Sequence, residues 1–544
     1  MGRTRPPTLA RRQLLIAGAC CAAFPPAAEA VPVGKFVDVP GSIVGASSAI
    51  GHRLRGGDFP APSRTVETAV VIVGGGIAGL SAAWKLERSG VEDFLLLELE
   101  QAVGGNAGSG ESAVSAYPWG AHYVPLLTAE ATAAQELFAD LGIITGHDTG
   151  LPVYNDYYLC SDPHERLYMY GRWQDGMVPQ FGISADDRAQ YRAFFAAMDA
   201  FKTRRGADGR KAFAIPLALS SRDPALLALD RISMADYLAR QGWTSPYLAW
   251  YVDYCCRDDY GAPHDQVSAW AGIHYFASRS GRAANADAQT VVTWPEGNGW
   301  IVKQLERRLS GHLRTNAVAF SVGERGTGVE VGYLDLARNE AVMIKAKAAI
   351  LAVPRFVARR LTDSAADTAA FQYSPWMVAN VTLDALPRGE GAPLSWDNMI
   401  YGSPLLGYVD ATHQGLDRVR RATTLTYYYP LCHAPPDQAR AEALARPYAE
   451  WRDMILKELL AVHPELDGHV KRLDVWLWGH GMIRPTPGFI WGSERAQALV
   501  ARPPVFHAHS DMSGISIFEE ANYHGVTAAE RALSHLGRPF TSSL

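Results

Sequence analysis

Ala69-Val70-Val71-Ile72-Val73-Gly74-Gly75-Gly76-Ile77-Ala78-Gly79 is the stretch that decides the fold. Its first half is a short β-branched run suited to a parallel strand buried on both faces. Three consecutive glycines follow, and then Ile77, Leu80, Ala83 and Trp84 recur at helical spacing. The order is strand, glycine turn, helix. Gly74 permits the tight turn, Gly76 lets the backbone approach a pyrophosphate, and Gly79 lets the helix pack closely on the strand. Ile77 and Ala78 open the helix, whose unpaired N–H groups and dipole favour phosphate. A second strand, Phe94 to Leu97, ends at Glu98, and an acidic residue roughly 20 positions after such glycines accepts hydrogen bonds from a ribose. The pattern predicts an α/β protein built on a Rossmann-type dinucleotide site.

Further along, Leu97-Glu98 is followed by Val103-Gly104-Gly105-Asn106, and then by Gly120-Ala121-His122-Tyr123-Val124. These segments resemble those of the flavin-containing amine oxidase superfamily, which includes monoamine and polyamine oxidases, protoporphyrinogen oxidase and phytoene-desaturase-like proteins. The family has Arg where Asn106 stands. The resemblance resumes at Pro295-Glu296-Gly297-Asn298-Gly299-Trp300, a turn opening a helix through Leu305. Next comes Leu313 to Val318, a strand whose backbone would meet the adenine. Ala349 to Pro354 resembles the next cofactor strand. Val505 to Asp511 stands where the family has a strand ending in an acid, so the resemblance implies Ser510 or Asp511 on the ribityl or phosphate side. Glu519-Glu520-Ala521 resembles the start of the final helix, whose N-H groups would face the flavin O2 edge. Glu520 replaces a glycine, and its carboxylate is expected to turn outward or to cap the helix.

What the resemblance implies is one FAD, bound without a covalent link because the C-terminal cofactor segment has no Cys. The cofactor domain is discontinuous: residues 67–145, 291–355 and 486–544. Two aromatic-rich insertions, 146–290 and 356–485, would form an α+β substrate-binding lobe, where function diverges between relatives. Tyr154, Tyr157, Tyr158, Tyr168 and Tyr170 are read as one cluster, Tyr427 to Tyr429 as another, and Trp476 with Trp478 as a third. His122, Tyr428 and Trp478 are the candidates for a catalytic role, each equally readable as packing. The family's Lys beside the flavin is missing, with Ala379 or Asn380 at its place, and Ile517-Phe518 replace its cage Tyr.

The first thirty residues read as an address. Arg11-Arg12 precede an apolar run from Leu14 to Phe24, and Ala28-Glu29-Ala30 offers a cleavage site. This resembles a twin-arginine signal, which exports proteins already folded around a cofactor. It implies the twin-arginine machinery as a partner and a periplasmic or other extracytoplasmic location. An ordinary secretory signal is the alternative, and Cys20 or Cys21 leaves a lipoprotein anchor open. Residues 31–66, rich in Gly, Pro and Ser, are read as an extended arm.

With 544 residues, 48% hydrophobic and 20% charged, the chain has the proportions of a globular protein of more than one core. Its net charge of -5 and lack of a basic block past the N-terminus argue against nucleic acid as a partner. No later apolar run reaches the ~20 residues that span a bilayer. Cys160, Cys255, Cys256 and Cys432 have no metal-site spacing, so no metal is expected. The reading is an FAD-dependent oxidoreductase acting on a small molecule, an amine or polyamine first. The alternatives are a desaturase or dehydrogenase of a C–C or C–N bond in a hydrophobic or cyclic substrate, and a non-catalytic flavin-binding or electron-relay protein. Oligomeric state is not legible.

Overall fold

A computed structural model describes residues 39–364, 368–416 and 419–544. The N-terminal address, with Arg11, Arg12, Cys20 and Cys21, lies outside the described residues.

The architecture is α/β, with two large sheets. In the first, Leu313–Arg314, Phe94–Leu97, Arg64–Val73 and Glu340–Leu351 pair in that order, and Val505–His507 pairs with the last of them. All these pairings are parallel. Gly328–Asp335 and Ala317–Arg325 extend the sheet as an antiparallel meander. Val70, Val71 and Ile72 are fully buried, as strands covered on both faces must be. The covering helices on one face are Ile77–Arg88 and Phe518–His535, which join the three sequence-distant segments into one core with Leu80, Trp84, Ile350, Phe506, Val526 and Leu533.

The second sheet has eight strands. Its centre is Val470–Ile483, Tyr373–Leu383 and Thr423–Pro430, paired antiparallel. Alternation along the pleat divides the side chains. Met377, Ala379, Val381, Tyr427 and Val475 enter a core with the helix Tyr448–Val462. Trp376, Val378, Tyr428, Trp476 and Trp478 face the other way, toward the cofactor half.

Three expectations are corrected. Residues 31–66 are not simply an extended arm. From Val39 onward the chain forms the strand Ile43–Gly45, which adds parallel to Val470–Ile483, then two short helical turns, Ser48–Gly51 and Arg53–Gly56, and Arg64 already begins the first cofactor strand. The five tyrosines between 154 and 170 do not form one cluster, because they lie on separate elements: Tyr154 ends one strand, Tyr157 and Tyr158 are in a short helical turn, Tyr168 is in another strand and Tyr170 in the turn after it. Tyr154 joins the cofactor core, Tyr168 packs on Trp173, and Tyr157 is exposed. Leu313 to Val318 is not one strand, since Asn316 takes a left-handed conformation (φ 53°) between two short ones. The cysteines behave as read: all four are free, and three are buried.

Gly525 marks where the C-terminal helix crosses the glycine-loop helix, and a Cβ there would stand 2.2 Å from the Ala78 carbonyl oxygen. Gly525→Ala should therefore destabilise the fold by roughly 1–3 kcal/mol, the cost of overpacking, and lower the denaturation midpoint measured by circular dichroism.

Candidate functional site

An elongated cavity of about 290 Å³ runs along the ends of the parallel strands. Gly74, Gly75, Gly76, Ile77 and Ala78 line it, and so do Glu98, Gly104, Gly105, Asn106, Ala121, Ser510 and Ala521. Gly74 holds φ at 103°, and a Cβ there would fall 2.4 Å from the Ala352 carbonyl oxygen. Gly79 does not line the cavity, because its task is packing: a Cβ would meet the Gly74 oxygen at 1.9 Å. Gly76 differs from both. No atom lies within 4 Å of where its Cβ would be, so its emptiness faces the cavity.

No side chain caps the N-terminus of Ile77–Arg88, so its first-turn N–H groups have no side-chain acceptor there. The C-terminal helix Phe518–His535 is likewise uncapped by a side chain, and its Phe518 and Ala521 reach the same cavity. Two helix tips and bare main chain in one cleft suit an anionic dinucleotide. Glu98 sits at one side, its carboxylate accepting from the Gly75 N–H at 2.7 Å and the Glu100 N–H at 2.9 Å. Each carboxylate oxygen has a second lone pair for a ribose hydroxyl. Gly104 (φ 131°) and Gly105 (φ 52°) form the second turn, and the Gly104 N–H donates to the Gly75 oxygen at 2.8 Å. Asn106, in place of the Arg, donates to the Gly481 carbonyl of the second sheet and lines the cavity at that junction.

A second cavity of about 150 Å³ adjoins the first. Asn106, Ala121, Asn298, Gly481, Ser516, Ile517 and Phe518 line both. The rest of its wall includes Gly120, His122, Tyr123, Trp376, Val378, Tyr428 and Trp478, with Asp258, Asp259, Arg279 and Glu519. His122 and Tyr428 stack at 4.7 Å between ring centroids, and the Tyr428 hydroxyl donates to the Gly120 carbonyl at 2.9 Å. Burial pushes the His122 pKa down to about 4, so its imidazole is neutral at physiological pH. The Trp478 indole N–H donates to the Trp119 carbonyl at 2.6 Å.

Two acids of this cavity, Asp258 and Asp259, were missed by sequence reasoning, which had named Glu519. Arg279 pairs with Asp259 at 2.5 Å. Asp258 makes no side-chain hydrogen bond among the described residues, and burial followed by repulsion from Asp259 raises its pKa to about 7. Glu519 is raised to about 7, first by burial. Asp258 lies in the insertion, on the helix Pro246–Tyr260, and an Asp-Asp pair on a helix gives no sign of which face meets a cofactor.

Several expected placements change. Val318 does not line the cavity: Ala317 and Ala319 do, and strand alternation turns Val318 away. Asp511 is fully buried and does not line it either: its Oδ2 accepts from the Arg355 N–H (2.7 Å) and the Tyr373 hydroxyl (2.6 Å), and its Oδ1 faces His509 Nδ1 at 3.2 Å. Glu520 neither points outward nor caps its helix. It is buried behind it, accepting from the Leu217 N–H at 2.6 Å and from the Ser513 hydroxyl, which makes the burial tolerable. Ala379 faces the far core and Asn380 bonds Thr426 and Pro118, so Trp376 and Val378 are the residues of that strand that line the second cavity. Tyr123 and Glu519 line the second cavity and not the first.

A model of the NAD(P)-binding Rossmann-like domain matches residues 72–141. No curated protein matches the sequence. Among solved structures the chain is similar to a putrescine oxidase (17% identity, TM-score 0.62, covering 87% of this chain and 100% of that one). It is also similar to cyclohexylamine oxidase from Brevibacterium oxydans IH-35A (15%, TM-score 0.63, 87% and 100%). A third is the conjugated-linoleic-acid-producing fatty acid isomerase from P. acnes (17%, TM-score 0.59, 85% and 98%). At these identities the likeness establishes the fold: a Rossmann-like cofactor half and a second, sheet-based half, arranged as in these amine oxidases.

Gly76→Ala tests the cavity. Its backbone (φ -72°) accepts Ala and nothing in the protein obstructs the methyl, so the apoprotein should unfold as before. Flavin affinity, measured by fluorescence quenching, should fall roughly ten- to hundredfold if phosphate sits against that position. A pH test concerns Glu520, whose folded pKa of about 7 lies above the ordinary 4.5, again first by burial. A raised carboxyl stabilises the fold below its unfolded pKa and forfeits that contribution as pH rises to the folded value. Glu520→Gln should therefore flatten the decline of apoprotein stability between pH about 4.5 and about 7.

Proposed function

We propose that this chain is a flavoenzyme that binds FAD non-covalently in the first cavity and oxidises a small amine or polyamine in the second, passing electrons to oxygen or a respiratory acceptor. One observation carries the reading: the two cavities share a wall, so a substrate among the aromatic side chains would lie directly against the ring end of a dinucleotide seated on the glycine loop. When bound, FAD supplies the two-electron acceptor. Gly76, Ile77 and Ala78 would hold its phosphates, Glu98 the ribose, and the N-terminus of Phe518–His535 the electron-rich edge of the ring. No Cys lines either cavity among the described residues, which supports a non-covalent site.

The chain's own groups would select the substrate. His122, Tyr428, Trp376 and Trp478 give flat apolar walls that exclude water and attract an ammonium through their π faces. Asp258 and Glu519 add carboxyls that titrate near neutral pH, each able to anchor a cation when ionised and to stay neutral when the site is empty. The Arg279–Asp259 pair is self-compensated, so the free charge of the pocket is acidic. A C–C or C–N desaturase of a hydrophobic or cyclic substrate is the second reading. It is favoured by Val378 and Ile517, apolar where amine oxidases carry Lys and Tyr. Export through the twin-arginine route rests on Arg11-Arg12 and is tested by cell fractionation.

Anaerobic mixing of the yellow holoprotein with a panel of amines, amino acids and cyclic alkenes decides between the readings, since only a true substrate class bleaches the flavin. Bleaching by alkenes and not amines would overturn the first reading, and bleaching by none would leave a flavin-binding protein without oxidation of its own. For an amine substrate, Asp258→Asn should raise KM about tenfold with kcat little changed, the loss of one charge-assisted contact. It should also weaken the rise in KM as pH falls through about 7, where Asp258 loses its charge.

A further inference from the structure

Arg55, Arg360 and Arg440 each stand beside a residue that lines the first cavity, Leu54, Leu361 and His480. Residues 42–57 cross that cavity as a strap. At one end Ile43–Gly45 pairs with the second sheet, and the Ser42 N–H donates to Asp474 at 3.1 Å. At its middle, the Ser47 N–H and hydroxyl donate to the Glu100 carboxylate at 2.9 and 2.7 Å, fastening the strap to the cofactor half. Beyond that point Leu54 lines the cavity, between His52 and Arg55. Across the mouth, the helix Arg355–Leu361 contributes Val357 and Leu361 to the lining and carries Arg360. His480, on the second sheet, also lines it and stacks on Phe356 at 4.2 Å.

The three arginines are close enough to the two imidazoles to keep them uncharged, so the charge here is that of the arginines alone. Burial, then Arg440, Arg55, His52 and Arg360, pushes the His480 pKa down to about 3. Burial and the charges of Arg55, Arg360 and Arg440 lower that of His52. Arg55 and Arg360 make no hydrogen bond or ion pair among the described residues. Arg440 spends its guanidinium on the Gly479 and Tyr373 carbonyls, which leave its charge in place. Asp437, one turn away, is the carboxylate that bears on Arg440, and it forms no ion pair with it. Arg88 and Arg308, by contrast, are neutralised by Asp140 at 2.6 Å and Glu87 at 2.5 Å. In a chain of net charge -5, a group of like charges facing each other across a cavity mouth opposes its own closure.

We propose that Arg55, Arg360 and Arg440, with the imidazoles of His52 and His480 as hydrogen-bond donors, form an anion site of the phosphate class, and that an anion held there closes the strap over the cavity. The anion supplies the negative charge the mouth lacks, joining the strap to the helix Arg355–Leu361. The inference rests on the flavin reading for the cavity's occupant, while the rim itself needs only an anion. The source is the dinucleotide's own phosphate or free phosphate, and the experiment separates the two.

The experiment is hydrogen exchange of residues 42–57 in apoprotein at low ionic strength, alone and with inorganic phosphate, FAD or riboflavin, which has no phosphate. Phosphate and FAD should slow exchange in the strap and riboflavin should not. Protection by FAD but not by phosphate would assign the anion to the dinucleotide, and protection by both to a site open to free phosphate. Arg55→Glu puts the missing negative charge on the strap, so exchange should be slow with no anion present. Its FAD association, read by stopped-flow fluorescence, should be about tenfold slower at low salt, converging with the parent at high salt as screening removes the effect. Arg360→Glu, on the opposite side of the mouth, should do the same. Equal protection in all conditions, or charge reversals that change neither exchange nor association, would overturn the proposal. If FAD fails to bind but phosphate still protects the strap, the anion site stands and the flavin reading falls. If amines bleach bound flavin while the reversals are silent, the opposite holds.

Discussion

The structure depends on how closely main chain can approach main chain around Gly74 to Gly79. Gly79 rests on the Gly74 carbonyl, Gly74 rests on Ala352, and Gly75 sits against Glu98 and Val103, all at separations no side chain would permit. These contacts draw the helix Ile77–Arg88 onto the parallel strands and set its tip in a cleft. Gly104 then bonds Gly75, so the second glycine turn is placed by the first. From that turn, Asn106 reaches the second sheet at Gly481, and the Ala121 N–H donates to the Asn106 carbonyl at 2.7 Å. A chain of close backbone contacts thus leads from the phosphate end to the aromatic cavity. Glycine is required along it for space as much as for torsional freedom.

What the sequence disclosed follows from this. A strand, a glycine turn and a helix within a short span have local causes, β-branched residues, missing Cβ atoms and a 3.6-residue period, and each leaves its mark on adjacent positions. The alternation of buried and facing residues in Tyr373–Leu383 is also a local regularity, yet its phase is not. Nothing near Ala379 and Asn380 in sequence tells which face meets the cofactor half: Ala379 turns to the far core, while Asn380, on the face of Val378, is held by Thr426 and Pro118. A one-residue slip exchanges the faces.

The remaining errors concern long-range partners. Asp511 looked like a cofactor ligand because a strand ends before it, but Tyr373 and the Arg355 N–H, over a hundred positions earlier, already occupy its carboxylate. Glu520 looked obstructive beside a flavin until Leu217 and Ser513 were seen to receive it behind the helix. The Gly-, Pro- and Ser-rich segment before the first cofactor strand looked featureless because its order comes from Val470–Ile483 and Glu100, which lie elsewhere in the chain. Buried polar groups are decided by whichever partner the fold delivers, and composition cannot name that partner.

The two ends of the continuous cavity differ in sign, and this organises its chemistry. At the glycine-loop end the contributors are helix-tip amides, with Glu98 held by two backbone N–H groups. At the aromatic end they are Asp258 and Glu519, with Arg279 cancelled by Asp259. An anion is drawn to one end and a cation to the other, while the uncapped tip of Phe518–His535 lies between them. Glu519 and Glu520 both occupy the first turn of that helix, where the dipole favours negative charge, yet both are held near neutrality by burial. Full ionisation of Glu519 would set a negative charge at that tip on the cavity side, whereas Glu520 is buried behind the helix. Burial of these two carboxyls therefore leaves the field of the helix tip available to whatever accepts electrons in front of it.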